Sequence, residues 1–131
     1  MTKKIESLFT IDKDTNDNYA IVYVHGFLSS AEFRGISEKV LDFIKTHKVT
    51  KVILEIHALG IPYAADRTWY MEDFLPRVIN AGLQYVGIIV PRNRLAGLVV
   101  EDIINSITPG KLQVYTYTNI SEARAWIESL Q

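Results

Sequence analysis

The chain has 131 residues, and its 14 Lys and Arg against 15 Asp and Glu leave a net charge of -1. This length predicts a single domain over 1–131, and the balanced charge argues against nucleic acid as a partner because no positive field attracts a phosphate backbone. The sequence contains no cysteine, signal peptide or apolar run long enough for a membrane span, so we expect a cytoplasmic protein without disulfides or thiolate chemistry.

The first elements are two strands and a helix. Ile5–Ile11 predicts a strand, and the polar residues 12–18 reverse the chain before a second strand at Tyr19–Val24, so these strands should be antiparallel. Ser29 and Glu32 have the spacing of a capping box, which predicts the start of the first helix. Its apolar residues recur at helical spacing and form one stripe, which contains Phe33, Ile36, Val40, Phe43 and Ile44.

The middle of the chain predicts a buried strand and an interrupted helix. The nearly continuous apolar interior of Lys51–Ile56 is typical of a parallel strand covered on both faces. A second helix should run from Ala64 or Asp66 to Ala81 and end at Gly82. Its interior contains Pro76, which lacks an N–H and clashes with the preceding turn, so the helix should bend or break near residues 72–75.

The last part of the chain predicts two more strands, each followed by a helix. The third helix, near residues 95–107, is apolar around nearly half of its circumference, more than one sheet-facing stripe requires. We therefore expect part of its surface to contact another protein or a second copy of the chain, with candidate interface residues Val99, Val100, Ile103 and Ile104. The strands are Tyr85–Val90 and Leu112–Thr118, and Asn119 and Glu122 repeat the capping-box spacing before the last helix.

This order of elements resembles the STAS domain, the fold of bacterial anti-sigma-factor antagonists and of the cytoplasmic tails of sulfate transporters. The resemblance implies an α/β fold with a five-stranded, mixed but mostly parallel sheet and four helices. Residues 69–83 and 122–127 look like the matching segments of a group of uncharacterised bacterial STAS-like proteins. That group has a distant fold-level similarity to lipid-carrying CRAL-TRIO domains.

In the antagonists, a Ser or Thr just past the third strand is phosphorylated by the partner kinase, and the added charge breaks the complex. The corresponding positions here are His57-Ala58-Leu59-Gly60, and the next hydroxyl is that of Thr68, within the second helix. The phosphorylation switch therefore carries over to no residue of this chain. The resemblance implies a non-enzymatic protein-interaction or regulatory module.

A ligand site is predicted where the parallel strands end. His25, His57, Arg92 and Arg94 should leave the sheet at one edge, beside the amino ends of the helices, where free N–H groups and partial positive charge favour an anion. These residues predict a site for a small anionic or amphipathic ligand. The alternative is that they are solvated loop residues.

An enzyme is the least supported function. His25 or His57 could act as a general base, but no serine elbow or cysteine accompanies them, so no catalytic residue is assigned. Metal ligands at short spacing, such as H-E-x-x-H, are also missing, and we expect neither a metal nor a cofactor. Two functions remain open, with the interaction module, which includes a homodimer, slightly favoured over ligand binding.

Overall fold

The computed structural model describes residues 8–14, 16 and 18–130. Five strands form one sheet in the order β1-β2-β3-β4-β5. The β1 strand runs antiparallel to β2, and every other neighbouring pair is parallel, which confirms the predicted α/β architecture. The strands are β1 Phe9–Asp14, β2 Tyr19–Val24, β3 Lys51–Glu55, β4 Tyr85–Ile89 and β5 Gln113–Tyr117.

The helices also match the expected pattern. The second helix consists of α2, a π-helical segment and α3 without a gap, and we call it the broken helix because the π-helical segment interrupts its α-helical hydrogen bonds. The sheet is thus covered by four helical units, as predicted. The bounds are α1 Ser30–His47, α2 Ala64–Trp69, the π-helical segment Tyr70–Phe74, α3 Leu75–Asn80, α4 Arg94–Asn105 and α5 Ile120–Ser129.

Pro76 explains the break in the second helix. It lies in the first turn of α3, where its missing N–H cannot continue the hydrogen-bond ladder of the preceding residues. The residues just before Pro76 form a π-helical turn, in which the Leu75 N–H donates a hydrogen bond to the Tyr70 carbonyl five residues earlier. Gly82 follows α3 with a φ of 111°, a left-handed conformation that favours glycine. Both predictions are confirmed.

Side-chain caps begin the long helices directly after the strands. The Ser29 hydroxyl accepts a hydrogen bond from the Glu32 N–H at 3.2 Å, and the Ser29 N–H donates to Glu32 Oε1 at 2.8 Å, so the predicted capping box is present. Asn119 Oδ1 accepts from the Glu122 N–H at 3.0 Å, and Asn93 caps α4 in the same way. These caps satisfy backbone donors that would otherwise be unpaired.

The first strand extends further along the chain than its pattern predicts. Its described part pairs Phe9 with Val24 and Asp14 with Tyr19, so the polar residues at its end belong to the strand and not to the turn. The predicted start at Ile5 lies outside the described residues. Charged residues are tolerated in β1 because it is an edge strand, with solvent beside it.

The topology places the helices unequally on the two faces of the sheet. Parallel strands in sequential order, joined by right-handed crossovers, put all connecting helices on one face. That connecting-helix face carries α1, the broken helix and α4, whereas α5 is the helix on the other face among the described residues; we call that side the α5 face. The α5 helix packs closely on the sheet at Gly87, where an added Cβ would lie only 3.5 Å from the Ala123 Cβ.

Candidate functional site

A cavity of about 150 Å³ lies between the sheet and the connecting helices. Among the lining residues that the structure describes, all side chains are apolar except those of Ser37 and Tyr70. In another protein, a cavity of this size lined by Leu, Ile and Phe stays dry and binds benzene or xenon. The arrangement can therefore hold an apolar molecule about the size of one ring. Its walls include Val22, Val52, Val86 and Ile88 of the sheet, Ile36 and Val40 of α1, Phe74 and Val78 of the broken helix, and Val99 and Ile103 of α4.

Short side chains in register across the sheet form part of the cavity floor. One row that crosses four neighbouring strands consists of Ala20, Val52, Val86 and Val114. These side chains are too short to fill the layer beneath three helices. The cavity therefore follows from the alignment of separate strands and not from any single residue.

The predicted interface residues of α4 line this cavity. Val99 is buried and Val100, Ile103 and Ile104 are half-buried, and all four belong to the cavity wall. The exposed apolar side chains of α4 are those of Leu95 and Leu98, on its outer surface. The broad apolar face of the helix is thus divided between the cavity and the outside, and a role of the four residues in an interface stays a prediction.

The two polar side chains of the wall differ in their hydrogen bonding. The Ser37 hydroxyl donates to the Phe33 carbonyl at 2.9 Å, which is a bond within α1. The Tyr70 hydroxyl has no hydrogen-bond partner among the residues described. Burial raises the pKa of Tyr70 to about 12, so its hydroxyl is protonated at neutral pH.

One end of the helical wall is tied together by a buried carboxylate. Asp66 is 1% exposed and accepts hydrogen bonds from the Ser30 hydroxyl at 2.6 Å and from Arg34 Nε at 2.8 Å. Burial raises the pKa of Asp66, but the hydrogen bonds from Ser30 and Arg34 and the positive charge of Arg34 outweigh burial and lower it overall. The contact joins α1 to α2.

A second ion pair joins α1 to α3. The Arg77 guanidinium donates to both carboxylate oxygens of Glu38, at 2.8 and 2.6 Å, and to Asp73 at 2.8 Å. The hydrogen bond from Arg77 is the main reason that the pKa of Glu38 lies below its ordinary value. Two polar contacts therefore fix the broken helix against α1, one at each end.

At the strand-exit edge, His57 is paired with a carboxylate of the chain itself. The imidazole Nδ1 lies 2.6 Å from both carboxylate oxygens of Glu55, and the backbone N–H of His57 donates to Glu55 Oε1 at 3.0 Å. The Arg92 N–H donates to the His57 carbonyl at 2.8 Å, so these two loops meet. Glu55 also places a negative charge where an anion was expected to bind.

The other candidate ligand residues are exposed at the same edge. His25 Nε2 lies 3.4 Å from the Thr10 hydroxyl. Arg92 and Arg94 are exposed, and their side chains make no ion pair with any residue of the described ranges 8–14, 16 and 18–130. The structure thus joins the His57 and Arg92 loops through the backbone, and it leaves both guanidinium groups in solvent.

The Glu55–His57 pair can orient an imidazole, because a carboxylate that holds Nδ1 leaves Nε2 available as a base or acceptor. Glu55 follows Leu54, which lines the cavity, so its side chain lies on the opposite face of the sheet. No group of three or more His, Cys, Asp or Glu that could hold a metal occurs in the described part of the chain.

Large apolar side chains are exposed around the strand-exit edge. We call this set the apolar rim: Phe27, Ile61, Tyr63, Leu95 and Leu98. Phe27 is 68% exposed, and its ring lies against Gly60. None of the helices that the structure describes has the length and apolar character needed to cross a membrane.

Sequence comparisons find no matching family model and no matching curated protein. Among solved structures, the chain is similar to an uncharacterized protein from the DUF3478 family with a SpoIIAA-like fold, from Shewanella loihica PV-4. The TM-score is 0.63 with 14% identity, and the match covers 91% of each chain. SpoIIAA has the fold of the anti-sigma-factor antagonists, so the STAS-like fold expected from the sequence is confirmed.

Proposed function

We propose that this SpoIIAA-like domain is a non-enzymatic binding module that takes a small apolar ligand into the cavity of the connecting-helix face. The apolar cavity of about 150 Å³ is the observation that supports it. The Glu55–His57 pair lies on the other face of the sheet, where it cannot act on a molecule in the cavity. The lack of cysteine supports a cytoplasmic location.

The energetics favour an occupied cavity. At about 24 cal/mol per Å³, an unfilled volume of 150 Å³ lowers the free energy of unfolding by at most about 3.6 kcal/mol, since the cavity is partly open. The free energy of unfolding of a whole domain is only about 5–15 kcal/mol, so this loss is a large fraction of it. A ligand that binds the folded state stabilises it by mass action, by about 2.7 kcal/mol at a hundred times its Kd. Occupancy would therefore restore much of what the cavity removes.

Benzene is the first probe of this function. We expect benzene to raise the melting temperature and to shift the methyl NMR signals of Val86 and Ile103, which line the cavity. The methyl groups of Ile53 and Ile127 are an internal control, because they lie in the core of the α5 face. Absence of any shift, or equal shifts on both faces, would contradict the proposal.

A second candidate function is binding of another protein, or of a second copy of the chain, through the apolar rim. The exposure of the large apolar side chains of Phe27, Tyr63 and Leu95 near the same edge of the sheet favours it. Light scattering should then show concentration-dependent association that Leu95→Lys weakens. Glu101→Arg, an exposed change on the same helix, is the control. A purely monomeric protein at high concentration would exclude self-association.

Binding of a small anionic or amphipathic ligand by His25, His57, Arg92 and Arg94 is a separate proposal. Its support is the exposure of the two arginines, and the charge of Glu55 opposes it. A phosphate titration should move the NMR signals of His57 and Arg92, and Arg92→Ala with Arg94→Ala should abolish the effect. Shifts that persist without both arginines would rule this site out.

A further inference from the structure

Tyr70 is half-buried, and its side chain lines the cavity within a cluster of aromatic rings. Its ring packs on Phe74 with 4.8 Å between centroids, on Phe33 at 5.7 Å and on Trp69 at 6.5 Å. The residue begins the π-helical segment, and π-bulges occur frequently at functional sites. A ring packed by three aromatic neighbours has little freedom to move.

Among the described residues of the wall, the Tyr70 hydroxyl is the side-chain polar group without a hydrogen bond. Ser37 already donates to a backbone carbonyl, whereas the Tyr70 hydroxyl bonds to nothing within the described residues. Because burial raises the pKa of Tyr70 to about 12, the group can donate a hydrogen bond at any physiological pH. A protonated hydroxyl on a ring packed among aromatic neighbours in an apolar wall is suited to a single acceptor on a ligand.

The charge of the ligand follows from the rest of the wall. Within residues 8–14, 16 and 18–130, no Lys, Arg, His, Asp or Glu lines the cavity, so a charged ligand there would lose its hydration without gaining a counterion from these residues. A neutral oxygen loses far less hydration free energy on entering the cavity, and it gains a hydrogen bond from Tyr70. The wall therefore discriminates against ions and favours a molecule with one uncharged acceptor.

We propose, on the basis of the proposed cavity function, that the ligand is an uncharged apolar molecule with one carbonyl oxygen, such as a ketone or ester, that accepts a hydrogen bond from the Tyr70 hydroxyl. This assigns the chemical class of the ligand and the residue that selects it. It also separates the cavity ligand from the anion considered at the strand-exit edge.

A matched pair of probes tests the assignment. Cyclohexanone and methylenecyclohexane have nearly the same shape, but only cyclohexanone has an oxygen acceptor. Both are titrated by NMR into the wild-type chain and into Tyr70→Phe. Methylenecyclohexane should bind the two proteins equally, and cyclohexanone should bind Tyr70→Phe about three- to tenfold more weakly, as expected for one hydrogen bond.

Two controls complete the design. Tyr85→Phe removes the hydroxyl of a half-buried tyrosine on the α5 face, which packs on Trp126 at 6.1 Å, and it should leave both affinities unchanged. Cyclohexanecarboxylate has a charged head on the same ring and should not bind in the cavity. Tyr70→Phe should fold normally, because the hydroxyl that it removes has no partner among the described residues.

The outcomes separate the two proposals. If neither methylenecyclohexane nor cyclohexanone binds the wild-type chain, the cavity function itself is wrong. If both probes bind and Tyr70→Phe changes neither affinity, or weakens both equally, the cavity function stands and the role of Tyr70 is wrong. Binding of cyclohexanecarboxylate in the cavity would overturn the assignment of an uncharged ligand.

Discussion

Val86→Ile is expected to stabilise the protein, although added volume in a core normally destabilises it. Val86 is 5% exposed in β4, an interior strand of the sheet, and its side chain lines the cavity. The added methylene enters empty apolar space and should contribute about 0.8 kcal/mol. For a chain of this length the melting temperature should rise by roughly 3 °C. In a fully packed site the same change would cost about 1–3 kcal/mol, so the sign of the effect is diagnostic.

Val49→Ile is the matched control. Val49 is 0% exposed in the core of the same face, but it does not line the cavity, so the added methylene should destabilise the protein. Urea unfolding measures both variants, and a change in midpoint at constant m-value reports stability. Val86→Ile should also weaken benzene binding, because it occupies part of the same space. If both variants lose stability equally, the reasoning about the cavity fails.

Two further predictions concern pH. The pKa of Asp66 is lowered in the folded state, so the stability that it contributes is present above about pH 4 and is lost as the pH falls through the folded-state pKa. Asp66→Asn should lower the free energy of unfolding by about 1–2 kcal/mol at neutral pH. Measured by urea unfolding, the variant should also lose less stability than the wild type as the pH is lowered. Burial and the hydrogen bond to Glu128 raise the pKa of Tyr19 to about 12, so the stability that Tyr19 contributes is present below pH 10 and is lost between about pH 10 and 12. Tyr19→Phe should therefore lose less stability than the wild type over this pH range. The same dependence of unfolding free energy on pH in both proteins would contradict this.

Local signals in the sequence predicted much of the fold. The capping residues Ser29 and Asn119, the helix break at Pro76 and the left-handed Gly82 depend on neighbours within a few positions, and all appear as expected. The apolar run of β3 correctly indicated a parallel strand. The end of β1 was missed because a polar segment can lie either in a turn or in an edge strand.

The cavity could not be predicted, because it depends on contacts between distant residues. Val52 and Val86 are 34 positions apart, and they share a row only through the register of the sheet. The partnership of Ser30 with Asp66 spans 36 positions in the same way. One signal was available: the apolar surface of α4 is wider than a packed helix needs, and part of that excess faces the cavity.

The walls of the cavity differ in how they are held, which suggests where a ligand would enter. Polar contacts bind α1 to the broken helix through Asp66 at one end and Arg77 at the other. Within the described residues no side-chain hydrogen bond or ion pair joins α4 to those helices, so apolar contacts alone hold it. The α4 helix should therefore be the wall that opens at the lowest free energy.

Hydrogen exchange measures this difference directly. Amides in the buried part of α1, at Leu41 and Ile44, should be protected more strongly than those of α4 at Val100 and Ile103. Benzene should slow exchange in α4 more than in α5, because it stabilises the closed wall and does not touch the other face. Equal protection of α1 and α4, with no selective effect of benzene, would show that α4 does not open separately. Entry would then require a larger rearrangement of the connecting-helix face, because the polar contacts of the broken helix would have to break.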